Sequence, residues 1–268
     1  MAESGRILID DLAGAPAAPQ APAAGPSMPA MPVTGEREDW LKRYNAPPTP
    51  VEFTDEDPYS PAYTRFDVDE TPGSILHYWF GYSADRASVL ADRMSLWFGG
   101  GFELDRIIAH RFSSVVAKLA SGEAHRWAAQ GPRERLAAVL ALDQFSRSIF
   151  RNTPAAFEND PLALRLAKEG IAAGEDMQLK PAERWFLYMP LEHSESSTDQ
   201  RRSLDKFSEL LSQSTPDLHP HLASAYDFAK RHAKVIQRFG RFPHRNAILG
   251  RTTTSAEKIF LKKPGSRF

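Results

Sequence analysis

What most constrains this chain is its punctuation from residue 71 onward. Helix-opening pairs and helix-ending glycines alternate there, and between them apolar residues recur at helical spacing. Thr71-Pro72 reads as an N-cap followed by proline at the first helical position, and the stripe Ile75, Leu76, Trp79, Phe80 ends at Gly81. Ser83 to Phe98 reads as a second helix or two short ones, closed by Gly99-Gly100-Gly101. Leu104 to Ser121 is a longer amphipathic helix stopped by Gly122. Gly131-Pro132 opens a helix on which Leu136, Val139, Leu140, Leu142 and Phe145 recur at helical spacing. Asp160-Pro161 opens another, with Asp160 as the cap, running to about Ala173 before Gly174. Lys180-Pro181 begins a helix through Met189-Pro190, and Ser197-Thr198-Asp199-Gln200 is a capping box for Asp199–Ser212. Pro220 to Phe239 is a long helix with Gly240 just past its end, and Thr254-Ser255-Ala256-Glu257 opens a short helix through Leu261. No run of alternating residues asks for a strand. The expectation is an all-α domain over 71–268, built of short paired helices stacked as antiparallel hairpins. No clean repeat of about 34 residues is visible.

Residues 1–70 differ in kind. Eleven of the 21 prolines lie there, and Ala13–Pro32 is almost entirely Ala, Pro, Gly and Ser. Such a segment has little apolar surface to bury, which predicts a disordered leader. Val51–Glu70 mixes acids and prolines with Phe53, Tyr59, Tyr63 and Phe66, and is expected to lie extended on the domain surface. The leader carries 5 Lys and Arg against 13 Asp and Glu, whereas residues 71–268 carry 28 against 21. The near-neutral net charge of −1 therefore hides an acidic leader and a moderately basic domain.

Several function classes drop away. With no cysteine, thiolate nucleophiles, disulfides and Cys-ligated zinc are excluded, which fits a reducing compartment. No apolar run approaches the roughly 20 residues that span a bilayer, and the first ten residues are too acidic for a signal peptide, so a cytoplasmic protein with no membrane partner is expected. Gly99-Gly100-Gly101 lacks the Gly-Lys-Ser/Thr of a phosphate loop. His219 and His221 are two apart and point to different faces, so no metal site is assigned. No motif for sequence-specific nucleic-acid recognition is present, and no cofactor can be named. Trp79, Trp97, Trp127 and Trp185 read as core residues.

Three polar segments sit in apolar surroundings. In Leu142-Asp143-Gln144-Phe145-Ser146-Arg147, continuing to Arg151, Asp143 and Arg147 are one turn apart and can pair, with Gln144 and Arg151 reaching the same region. In Leu191-Glu192-His193-Ser194-Glu195, two carboxylates flank an imidazole and a hydroxyl, which suits general acid–base chemistry or a Ser194 nucleophile. Alternatively, Glu192 and Glu195 pair with the arginines of the third segment. That segment, Arg238 to Arg251, places Arg241, His244, Arg245, Asn246 and Arg251 among Phe239, Phe242, Ile248 and Leu249. Arginine forks suit carboxylate or phosphate, and the interleaved apolar residues argue that the segment is packed down.

Taken together, these three motifs, with Tyr78-Trp79-Phe80-Gly81, Trp97-Phe98 and Asp105 upstream, resemble the bacterial domain-of-unknown-function 924 family over about residues 73–262. The resemblance implies an all-α, tetratricopeptide-like superhelix and no established activity. The polar residues it maps are Asp143, Gln144, Arg147, Arg151, Glu192, His193, Glu195, His232, Arg241, His244, Arg245, Asn246 and Arg251. Ser146, Ser148 and Asn152 depart from the family's usual proline, asparagine and glycine, and His77 stands where an acid is typical.

Three readings follow. The polar segments converge on a site for a small anionic molecule, where Glu192, His193 and His244 move protons and the remaining polar residues bind. Alternatively, the stack is a tetratricopeptide-like module for a peptide carboxylate, with no enzymatic activity. In the third, the motifs form a buried ion network that fixes helix packing.

Overall fold

The computed structural model describes residues 70–81, 90, 93–99 and 101–266. The expected leader before Glu70, and most of the helix expected over Ser83–Phe98, lie outside those residues. The described part is all-helical, without a strand.

The helices begin and end for the reasons the sequence suggests. α1 (Pro72–Phe80) is capped by Thr71, whose hydroxyl accepts the Ser74 amide while Ser74 returns the bond to the Thr71 amide. α2 spans Phe102–Lys118, and the helical path breaks at Gly122, the expected stop, where φ is 127°, before α3 (Ala124–Ala128). α4 (Pro132–Leu140) runs through a π-type turn, Ala141–Phe145, into α5 (Ser146–Ile149). From Leu136 to Asp143 every side chain is buried, so this helix is the spine of the domain. α6 (Asp160–Ala172) ends before Gly174, whose φ of 73° is the left-handed conformation glycine adopts without strain.

α7 (Pro181–His193) continues past Pro190, beyond its expected end, with every residue from Ala182 to Leu191 buried. α8 (Ser197–Ser212) follows after three residues, so the chain doubles back. α9 (His219–Phe239) ends at Gly240, with φ 68°. α10 (Ser255–Phe260) carries the expected Thr254–Glu257 capping box. Consecutive helices pack on one another: α3 on α4, α7 on α8, α8 on α9. Trp79, Trp97 and Trp185 join Phe80 and Phe186 in one aromatic cluster, and Trp127 is half-buried against the same core.

Two caps differ from expectation. Asn159, not Asp160, is the N-cap of α6, because the Asp160 carboxylate is drawn to Arg147 and Arg245. Ser196, not Ser197, caps α8, and Gln200 does not close a capping box. Its amide instead donates to the carbonyls of Glu192 at 2.6 Å and Ser194 at 2.7 Å, tying down the end of α7.

Candidate functional site

The site is built where α4–α5, the end of α7, α9 and the segment after Gly240 meet. The π-type turn at Ala141–Phe145, closed by the Ser146 amide donating to the Ala141 carbonyl, carries Asp143 and Gln144. Such turns insert one residue and re-aim the side chains around them. Asp143 is buried, and accepts from the Gln144 amide, from His193 Nδ1 at 2.8 Å, and from Arg147, 3.4 Å away. Burial alone would raise its pKa. Arg147 and His193 with these hydrogen bonds overcome that and hold the carboxyl well below the usual range. Asp143 is therefore an anion that fixes the His193 proton on Nδ1 and leaves Nε2 as a base. Burial and then the Arg147 charge lower the His193 pKa, so the ring is neutral near pH 7.

A second imidazole–carboxylate pair lies beside the first. His232 Nδ1 is 2.7 Å from Glu192 Oε1 and 2.9 Å from the Phe228 carbonyl, and the His193 and His232 rings are 6.2 Å apart. Glu192 thus serves a histidine rather than an arginine. Ser194 donates to Asp199 at 2.8 Å, so its hydroxyl is oriented by a carboxylate and not activated by an imidazole.

Above this pair lie two guanidinium groups that share Asp160. Arg147 grips it with a fork at 2.8 and 3.2 Å, and burial of Arg147 is outweighed by Asp143 and Asp160, which push its pKa up. Arg245 is 7% exposed and stacks between the rings of Phe157 (4.7 Å) and Phe242 (4.6 Å). Its single polar contact among the described residues is a long one, 3.4 Å to Asp160, and its Nε is buried with no partner. Burial and then the Arg147 charge pull its pKa down to about 10. His244 next to it is driven down to about 3, first by burial and then by Arg245.

The remaining residues frame the site. Glu195 accepts the Phe242 amide at 2.7 Å and a fork from Arg251 at 2.7 and 3.0 Å; burial opposes its charge, and these donors still lower its pKa. Arg241 forks onto Glu257 at 2.7 and 2.9 Å and bonds the Thr252 carbonyl, which holds α10 in place. Asn246 is fully buried; its carbonyl accepts the Arg251 amide. Arg151 turns away, onto Asp105 of α2 at 2.7 Å. The fold thus brings together Asp143, Gln144, Arg147, Glu192, His193, Glu195, His232, His244, Arg245 and Arg251, while Arg151 and Arg241 brace other elements. Asp160 and Phe157 were missed from sequence. The signal was the tandem Asn159-Asp160, two cap-competent residues where one suffices.

Among the described residues no group of three His, Cys, Asp or Glu can hold a metal ion, and no helix is long and apolar enough to cross a membrane.

The model of a bacterial protein family of unknown function, DUF924, matches residues 75–265, which takes in the whole site. The chain belongs to this family. A DUF924 match starting at residue 75 leaves the leader outside it. A solved structure of a protein of unknown function from Agrobacterium tumefaciens is 34% identical, with a TM-score of 0.54, and the match covers 66% of this chain and 98% of that one. No curated protein matches the chain.

Proposed function

We propose that the DUF924 domain binds a small anionic molecule between Arg147, Arg245 and His193, with His193 moving a proton on the bound molecule. The observation that carries this reading is Arg245: a buried cation with an orphan Nε, one long ion pair, and a pKa pulled down to about 10. A buried charge left so poorly compensated is costly, and a carboxylate or phosphate oxygen would supply what it lacks. His193 is the better base than His244. Asp143 fixes its tautomer, whereas a group driven down to about 3 binds a proton too weakly to transfer one at neutral pH. Glu192 acts through His232 as a positioning residue in the same scheme. The lack of cysteine suits a cytoplasmic setting.

The test is a thermal-shift titration with phosphate, citrate and short dicarboxylates against the wild type and Arg245→Met. At a hundredfold excess over Kd a ligand adds about 2.7 kcal/mol of stability. A shift in the wild type that the variant lacks supports the site. Equal shifts in both, or none, would sink it.

A second reading, a tetratricopeptide-like peptide-binding module without activity, is favoured by one observation: an open, basic groove between α8 and α9.

A further inference from the structure

That groove holds about 360 Å³ and is lined by one face of each helix. Leu204, Ala233 and Ile236 form its apolar floor, and Arg201, Lys230 and Lys234 stand exposed on its rim. Among the described residues Lys234 has no ion-pair partner, Lys230 pairs with Asp227 of its own helix at 3.2 Å, and Arg201 reaches the Thr198 hydroxyl at 3.3 Å. The groove also holds an orphan acceptor. Gln200 is 3% exposed, and its Nε2 is committed to the carbonyls at the end of α7. That commitment fixes which way the amide faces and leaves Oε1 buried without a donor. An apolar floor, a cationic rim and a buried acceptor together suit an extended acidic peptide, whose backbone N–H answers Gln200.

We infer that the occupant is a segment of this same chain, Val51–Ser60, with Phe53 on the floor and Asp55, Glu56 and Asp57 against Arg201, Lys230 and Lys234. Charge is complementary, since the leader carries 13 acids against 5 bases and the domain the opposite excess. The ten residues from Ser60 to Glu70 extend to about 33 Å, about twice the radius of gyration, about 16 Å, of a domain of about 190 residues, so the tether can cross a face of the domain. Glu70 is itself pinned to the domain by Arg111 and Ser74, so the tether starts from a fixed point. The family match begins at residue 75 and so leaves this segment outside.

The absence of cysteine makes the test direct. Thr54→Cys is combined with Gln237→Cys at the groove, or with Ala117→Cys on α2 as the control, in the full chain. Disulfide formation under mild oxidation is read on a gel. The groove pair should close about tenfold faster than the control pair, and Lys230→Glu with Lys234→Glu, or 1 M salt, should remove that advantage. Reversing Asp55, Glu56 and Asp57 to Lys should do the same without touching the folded domain. Equal closure rates, an advantage indifferent to both reversals, or cross-linking only between molecules would overturn the inference. None of these outcomes depends on Arg245.

Discussion

Replacing Arg245 by methionine should make the protein more stable while abolishing its anion response. The pKa of Arg245 falls from its ordinary value to about 10, first through burial. At about 1.4 kcal/mol per pH unit, holding the charge in place costs the folded state about 3 kcal/mol at neutral pH. The sign follows from linkage. The folded state releases this proton more readily than the unfolded chain, so stability rises with pH above about 10 and the penalty stands in full below it. Methionine keeps the contacts with Phe157 and Phe242 but forfeits two cation–π interactions, together about 1–2 kcal/mol. The net gain is about 1–2 kcal/mol, or about 2–8 °C in Tm for a domain of this size. Thermal unfolding followed by circular dichroism, in chloride buffer without polyvalent anions, measures it. A Tm several degrees below the wild type would refute the reasoning, because it would mean that Arg245 is already satisfied and acts as a structural keystone.

Other outcomes follow from the same geometry. Asp143→Asn should lower stability by about 3 kcal/mol in urea unfolding, since it strips His193 and Arg147 of a buried partner while Arg147 keeps Asp160. Stability should fall as the pH drops below 6.5, because the unfolded chain takes up protons that His193 and His244 refuse; with His244 at about 3 its share is about 3 kcal/mol at pH 4, and His244→Gln should flatten that part of the urea-midpoint profile. Asn152 sits at φ 62°, so Asn152→Val should cost about 1–2 kcal/mol in the same assay, and Asn152→Gly should be neutral or stabilising.

Much of the fold was legible because helix ends are local chemistry. The Thr71 and Thr254 caps, Gly174 and Gly240 each settle a boundary within a few residues of themselves. Asn152 follows the same logic: at φ 62° the turn takes one of the few non-glycine residues at ease in the left-handed region. The site was legible only in part. Its three segments could be named, but partner choice is tertiary. Asp160 looked like a cap until two guanidinium groups claimed it, Glu192 faced a histidine, and Arg151 turned to Asp105. Nor does periodicity register a π-type turn, which shifts Asp143 by one residue without breaking the helix.

The segment after Gly240 is joined to the body in an unusual way. Its apolar support is a small separate cluster of Val235, Ile236 and Phe242 with Phe239 and Phe260, and its ties to α6 and to the turn after α7 are mostly polar: Arg245 to Asp160, and Arg251 and the Phe242 amide to Glu195. A piece held this way opens as its own cooperative unit, below the free energy of global unfolding. In native-state hydrogen exchange the amides after Gly240 should therefore trade with solvent while the spine at Leu136–Leu142 stays protected. Half of the proposed anion site would then come and go with that unit, and an anion bridging Arg147 and Arg245 would slow exchange there far more than in the core.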